Sequence, residues 1–400
     1  MRLRLACLGL ALLLPVLPAC DDSYRPPPRP PTPTTPQRAP TPAPTPAPTP
    51  AAKPTPPPDP MISIASRGSH TCARRKSGAV ACWGRNSDGQ LGDGTRTDQP
   101  RAVTVPGLSD ISEIAAGHAH TCVRRAAQVQ CWGNNEDGQL GDGKGAKPGA
   151  RSSAPVAVQG LADALEIASG DAHTCARRKA GTVVCWGLGD DGQLSIVKDR
   201  SAALVPIASL SQVAQVVTGA NHTCARRNSG DVLCWGRNTE GQLGDDKSGS
   251  KIKPVPVVGL KDATHLVAGG NHTCAQRRSG AVVCWGSNSH GQLGDGTTGT
   301  FAQRKPVPVQ GLAAVAELAA GHDHTCARTT DGKVLCWGSN SAGQVGDGST
   351  TDRPKPTPVV RLEQATGLAL GTAHTCALQT TGNVTCWGSD EHRALGPRRL

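Results

Sequence analysis

The chain has 400 residues, a formal net charge of +11, 18% charged residues, and one Phe and one Tyr beside seven Trp. That length exceeds what a single compact core usually fills, which excludes a simple one-core domain. The scarcity of aromatic side chains excludes the stacking platforms that hold single-stranded nucleic acid, and the positive balance favours anionic partners.

The first element is residues 1–19. Arg2 and Arg4 precede an apolar run too short to span a bilayer comfortably, and Leu17, Pro18 and Ala19 lead into Cys20. This resembles a bacterial lipoprotein signal whose lipobox ends at Cys20, the residue expected to carry the lipid. The resemblance implies an exported protein, lipid-anchored to a membrane of the cell envelope, in the periplasm or on the cell surface. An exported chain can form disulfides. Of 16 Cys, Cys7 lies in the signal and Cys20 takes the lipid, leaving fourteen for seven pairs.

Residues 20–60 follow as a stalk. "RPPPRPPTPTTPQRAPTPAPTPAPTPAAKPTPPPDP" has too little apolar bulk for a core and favours extended polyproline II, reaching on the order of 100 Å at roughly 3 Å per residue.

From residue 61 to 400 one phrase recurs seven times, as in "CARRKSGAVACWG", with first cysteines Cys72, Cys122, Cys175, Cys224, Cys274, Cys326 and Cys376, a period of 49 to 53 residues. Periods of this size belong to propellers, solenoids or arrays. Short runs of Val, Ala, Leu and Ile, punctuated by Gly, Asn, Asp or Pro, read as strands and turns with no sustained helical periodicity. The fold class is therefore all-β.

Within each copy the two cysteines should face each other. A three-residue loop at Lys76, Ser77 and Gly78, with Gly78 left-handed, pairs 74 with 80, 73 with 81 and Cys72 with Cys82. The second copy is one residue shorter, and a two-residue turn at Ala126 and Ala127 restores the pairing of Cys122 with Cys131. The same count gives Cys175–Cys185, Cys224–Cys234, Cys274–Cys284, Cys326–Cys336 and Cys376–Cys386. These fall at non-hydrogen-bonded positions, where Cα atoms approach to about 4.5 Å. The Trp after each second Cys supplies bulk once per copy and reads as packing.

The stretch "AAGHDHTCARTTDGKVLCWGSNSAGQVGDGSTTDRPKPTPV", Ala319 to Val359, closely resembles the repeat of the regulator of chromosome condensation, and the resemblance runs over residues 61 to 396. It implies a seven-bladed β-propeller with four antiparallel strands per blade. The paired Cys matches the secreted-type variant of that repeat. By family analogy, a guanine-nucleotide-exchange-type regulator of a GTPase is one alternative function, and a propeller-borne enzyme of unknown reaction is another. Copy three departs with "GQLSIVKD", copy seven with "RALG", and the outer strand ("P.PV" or similar) occurs six times, at 102–105, 155–158, 204–207, 255–258, 306–309 and 357–360. Seven hairpins with six such partners predict a ring closed with one blade a strand short, in preference to a substitute from Lys53 to Ile62.

No G-x-S-x-G elbow, H-E-x-x-H pair or phosphate-binding loop occurs, so no catalytic residue, cofactor or metal ligand is assigned. The His before each Thr-Cys, from His70 to His374, is expected to cap a backbone group, while "HAH" at 118–120 and "HDH" at 322–324 keep a metal reading open. Arginines after the first Cys, namely Arg74, Arg124, Arg177, Arg226 and Arg277, are the candidate binding rim. The least regular loops follow Gly141, Leu194 and Gly244. The expected protein is a monomeric, tethered binding scaffold whose partner is a protein or an anionic envelope component, and no nucleic acid is expected.

Overall fold

A computed structural model describes residues 27–28, 59–362 and 364–396. The signal sequence, Cys20 and nearly all of the stalk lie outside the described residues. Pro57–Leu400 is a unit separate from Met1–Pro56; of the latter, only Pro27 and Pro28 are described, exposed and outside regular structure. No helix among the described residues is long and apolar enough to cross a membrane.

The second unit is a seven-bladed β-propeller. In the first blade β1 (Met61–Ser66), β2 (His70–Arg75), β3 (Val80–Gly84) and β4 (Gln99–Thr104) pair antiparallel in sequence order. Gly78 takes φ +84° in the turn between β2 and β3, which sets Cys72 directly opposite Cys82. In the second blade Ala126, at φ +51°, performs the same office in a shorter loop, and Cys122 meets Cys131. All seven cross-strand disulfides form as the register requires, with Cα–Cα separations of 4.1 Å.

Six sheets have four strands; the seventh, Ala365–Leu370, His374–Gln379 and Val384–Gly388, has three among the described residues. Of the alternative Lys53–Ile62 segment, Met61 and Ile62 open β1, the innermost strand of the first blade, and Lys53–Pro58 lie outside the described residues. Proline is frequent in the outermost strands, as in Lys251–Pro256, because an edge strand turns half of its N–H groups to solvent and loses little by lacking one.

The core is a set of layers between blades. Each Trp is 0–4% exposed and packs on the neighbouring blade, as Trp186 does on Cys122, Cys131, Leu140 and Val158. Its indole N–H donates to a backbone carbonyl of the preceding blade: Trp132 to Gln90 at 2.8 Å, Trp186 to Gln139 at 2.9 Å, and likewise around the ring. The junction of the seventh and first blades keeps this bond, from Trp83 to Ala394 at 3.1 Å. The "RALG" of copy seven can thus replace "GQLG", since the Gln contributes its main-chain carbonyl and any residue has one. In copy three Ser195 adopts φ +60° where the other loops place Gly against a Trp.

Candidate functional site at the two ends of the ring

Antiparallel blades give the ring two ends. One carries the turns that contain Lys76–Gly78 and their counterparts, and the other carries the short turns that precede each His-Thr-Cys.

At the hairpin end the arginines sort by register. Arg74 stands opposite Ser63, Arg124 opposite Glu113, Arg177 opposite Glu166 and Arg226 opposite Gln215. Arg277 does not belong to this set: it pairs with Ala263, one position further along, and Gln276 occupies the equivalent place opposite His265. Arg328, opposite Glu317, is a member although no second arginine follows it. Three of these positions are charge-neutral. Arg124 binds Glu113 at 2.7 Å, Arg177 binds Glu166 at 2.9 Å and Arg328 binds Glu317 at 2.9 Å. Each carboxylate also accepts a backbone N–H of the next blade, from Ile167, Val216 and Leu368 respectively, so these pairs are inter-blade stitches. Arg277 pairs with Asp262 at 2.9 Å. Among the described residues Arg74 and Arg226 have no carboxylate partner, and each holds its Nε out of water without a hydrogen bond. Burial draws the Arg226 guanidinium below its ordinary pKa.

At the opposite end a closed chain of backbone hydrogen bonds runs from blade to blade around the axis. Gly68 N–H donates to Gly117, His118 to Asp171, Asp171 to Ala220, Ala220 to Gly270, Gly270 to His322, His322 to Gly371 and Thr372 back to Gly68, at 2.9–3.4 Å. Just beneath it lies a ring of imidazoles. His70 Nε2 is 2.8 Å from Thr121 Oγ1 in the next blade, and the same contact recurs through His120, His173, His222, His272 and His324 to His374, which reaches Thr71 at 3.0 Å. The expected backbone cap is therefore a threonine hydroxyl of the neighbouring blade. In six blades that hydroxyl donates in turn to a Gln carbonyl, as Thr121 does to Gln90 at 2.9 Å. Its single proton being committed, it can only accept from the imidazole, which fixes the proton on Nε2 and leaves Nδ1 bare. Burial holds these imidazoles neutral, with pKa values pushed down to about 3 for His70, His120, His173, His222 and His324 and about 4 for His272 and His374.

Six blades place Gly three residues before the His, and a Cβ at Gly117 would come within 2.3 Å of the His120 ring. The first blade has Arg67 there instead. Its guanidinium crosses the mouth of the ring, with Nε 2.9 Å from Asp171 Oδ1 in the third blade, Nη1 donating to Thr218 O at 3.0 Å in the fourth and Nη2 to Gly269 O at 3.3 Å in the fifth. Although burial works against its charge, Arg67 keeps the Asp171 carboxyl below its ordinary pKa. Close by, His322 Nδ1 lies 2.8 Å from Asp323, a bond that raises the pKa of His322, while burial lowers that of His118.

The "HAH" and "HDH" pairs thus divide their labour: His120 and His324 join the buried ring, and His118 and His322 stand at the mouth. Among the described residues no group of three His, Cys, Asp or Glu is arranged to hold a metal ion, the loops after Gly141, Leu194 and Gly244 included. The Trp set is buried as packing and offers no stacking ring to a ligand.

Comparison with known proteins agrees with this architecture. The RCC1-like domain matches residues 34–316, and the regulator of chromosome condensation (RCC1) repeat matches residues 315–344 and 331–378. Among curated proteins the chain is 30% identical to the Arabidopsis thaliana ultraviolet-B receptor UVR8 over 139 residues, 34% of this chain and 31% of that protein. It is 28% identical to the Homo sapiens regulator of chromosome condensation over 145 residues, 35% of this chain and 34% of that protein. The matched segment spans about a third of each relative's length. Among solved structures, yeast RCC1 (Prp20) bound to Kap60 superposes with a TM-score of 0.71 at 23% identity, covering 85% of this chain and 81% of that one. Human WBSCR16 superposes at 0.72 and 23% identity, covering 80% and 87%. At these identities the structural likeness carries the fold alone.

Proposed function

This chain belongs to the RCC1-like domain family, and on that premise we propose that it is an exported, lipid-tethered binding scaffold that holds an anionic or protein partner at the cell envelope. The propeller is consistent with a binding scaffold, and among the described residues no group of three His, Cys, Asp or Glu is arranged to hold a metal ion. Seven buried disulfides suit an oxidising compartment. The sequence of residues 1–20 supplies the export signal and Cys20 the lipid.

The observation that carries the anionic partner is the pair Arg74 and Arg226. Their neighbours in the same register spend their charge on glutamates inside the protein, whereas these two guanidiniums keep theirs for something outside. The test is retention on an immobilised polyanion, such as polyglutamate, as salt rises. Replacing Arg74 and Arg226 together with Gln should shift elution to clearly lower salt, because exposed charges are screened beyond about 8–10 Å. Replacing Arg124 and Arg177 should shift it less and lower stability instead, since Glu113 and Glu166 are left unpaired. Equal elution of the Arg74 and Arg226 variant and the parent would remove the basis for an anionic partner.

A further inference from the structure

One position on the end opposite the arginines varies from blade to blade in a way that leaves a gap. The residue before each Gly-Gln is Asp88, Asp137, Asp191, Glu240, His290 and Ala342 in the first six blades, and His392 stands in that place in the seventh. Five of these seven bind the neighbouring blade. Asp88 accepts from Asn134 at 3.1 Å, Asp137 pairs with Arg200 at 3.4 Å, Asp191 accepts from Asn221 at 3.1 Å, His290 pairs with Asp352 at 2.8 Å and His392 with Asp98 at 3.1 Å. Ala342 has nothing to offer. Glu240 is half-buried, and among the described residues its carboxylate has no partner.

By its place in the repeat, the natural partner of Glu240 is Asn271, the counterpart of Asn221. Asn271 Oδ1 accepts from Gln242 Nε2 at 3.2 Å, and among the described residues its Nδ2 donors have no acceptor. Acid and amide, which satisfy each other between the third and fourth blades, stand apart between the fourth and fifth. They line a cavity of about 430 Å³ whose far wall is built by the fifth and sixth blades, a size within the roughly 300–1,000 Å³ of small-molecule sites. On that wall His322 is tied through Nδ1 to Asp323, and His290 through Nδ1 to Asp352. Each imidazole therefore has Nε2 as its remaining polar atom. Ser287, Asn288, Ser289 and Gly299 complete a lining that contains no Phe, Tyr or Trp.

We propose that this cavity binds a neutral sugar unit, with adjacent ring hydroxyls donating to the Glu240 carboxylate and accepting from Asn271 Nδ2. A carboxylate and an amide that line one cavity without bonding each other offer the acceptor and donor that the hydroxyls of a diol match, and the serine hydroxyls and imidazole nitrogens of the same lining supply further partners for a polyol. An organic cation is the poorer fit: Asp323 and Asp352 are already engaged by imidazoles, so of these carboxylates Glu240 alone is open among the described residues, and the Asn271 amide donors are of no use to an ammonium group. With polar contacts that replace bound water one for one, affinity on the order of 1 mM is expected. The site is independent of the arginine reading, since it lies at the other end of the ring.

Ligand-observed saturation-transfer NMR on the full chain tests this, with D-glucose, D-galactose, D-mannose and N-acetyl-D-glucosamine as separate probes and spermidine as a cationic control. At least one sugar should give saturation transfer, and Glu240→Ala or Asn271→Ala should weaken it about tenfold. Asp191→Ala, the same position one blade earlier, should leave it unchanged and shows that a loss is not a general effect of altering this loop. Absence of transfer from every sugar, transfer that survives both Glu240→Ala and Asn271→Ala, or binding of spermidine alone would each overturn the proposal.

Discussion

Arg67 in the first blade and Asp171 in the third are joined by a 2.9 Å ion pair across the mouth of the ring, with both side chains largely shielded from water. Blades that share no strand and are not adjacent in the ring are thereby tied directly, and the same guanidinium reaches carbonyls of the fourth and fifth. Six blades use glycine at this position to clear room for an imidazole, so Arg67 is the one place where that rule yields to a cross-ring strut.

Removing the strut should be costly. Arg67→Ala leaves Asp171 charged and shielded with its partner gone, and a loss of about 3 kcal/mol in urea unfolding is expected. Arg67→Lys should recover little, because an ammonium cannot reproduce a planar fork that serves three acceptors. The Arg67→Ala, Asp171→Ala double variant should lose less than the two single losses added.

Acid should unfold the propeller through its histidines. In the folded state seven imidazoles have pKa values near 3 or 4, whereas in the unfolded chain they return to about 6.5. Below 6.5 the unfolded chain therefore binds more protons, and stability falls with pH. Their contribution is fully present above about pH 7 and is lost as pH drops towards 4, by about 1.4 kcal/mol per pH unit for each imidazole. Denaturant midpoints measured from pH 8 to pH 4 should show a steep decline below pH 6. His222→Gln should flatten that slope by close to one proton.

Non-reducing peptide mapping should find only links within blades, among them Cys224 with Cys234 and Cys326 with Cys336. Replacing both Cys224 and Cys234 with Ala should cost about 2–3 kcal/mol on the loop-entropy account. Seven such terms match or exceed the upper part of the roughly 5–15 kcal/mol that holds a typical domain folded. Full reduction should therefore leave no propeller signal in circular dichroism.

Cys20→Ala should release the protein from the membrane fraction or stall its maturation. An N-terminal diacylglyceryl group detected by mass spectrometry on the parent and absent from the variant is the expected result. Unchanged membrane attachment of the variant would remove Cys20 as the anchor.

What could be read in the sequence is what a single repeat contains. The Cys-to-Cys spacing, the turn glycine Gly78 and the compensating two-alanine loop at Ala126 lie within one hairpin, so counting from the turn was enough to set the register. Partners in the next repeat were invisible. The recurrence of His70 and its counterparts marked them as structural, but the acceptor, Thr121, lies 51 residues away in the neighbouring blade. The arginine rim was legible only in part for a related reason. The eye follows "RR", whereas the register follows distance from the cysteine, which sets Arg277 one place off and brings in Arg328. Arg67 gave no signal, since a lone arginine ahead of a glycine looks like any exposed turn residue until the fold brings Asp171 opposite it. Glu240 is close in chemistry to its aspartate counterparts, and only the fold shows that among the described residues it makes no contact like that of Asp191 with Asn221.

The backbone chain from Gly68 through Gly117 and Asp171 to Thr372 and back to Gly68 has neither a first link nor a last. Open arrays of repeats need terminal units with a polar outer face, because each end unit lacks a neighbour. A closed array needs none, and even the junction of the seventh and first blades keeps its tryptophan bond, its imidazole contact and its backbone link. No repeat has to be given up as a cap, and loop positions outside these three conserved junction contacts can diverge without exposing a core. That freedom is what lets one blade carry a cross-ring arginine and another a glutamate with no partner among the described residues, on an otherwise uniform frame.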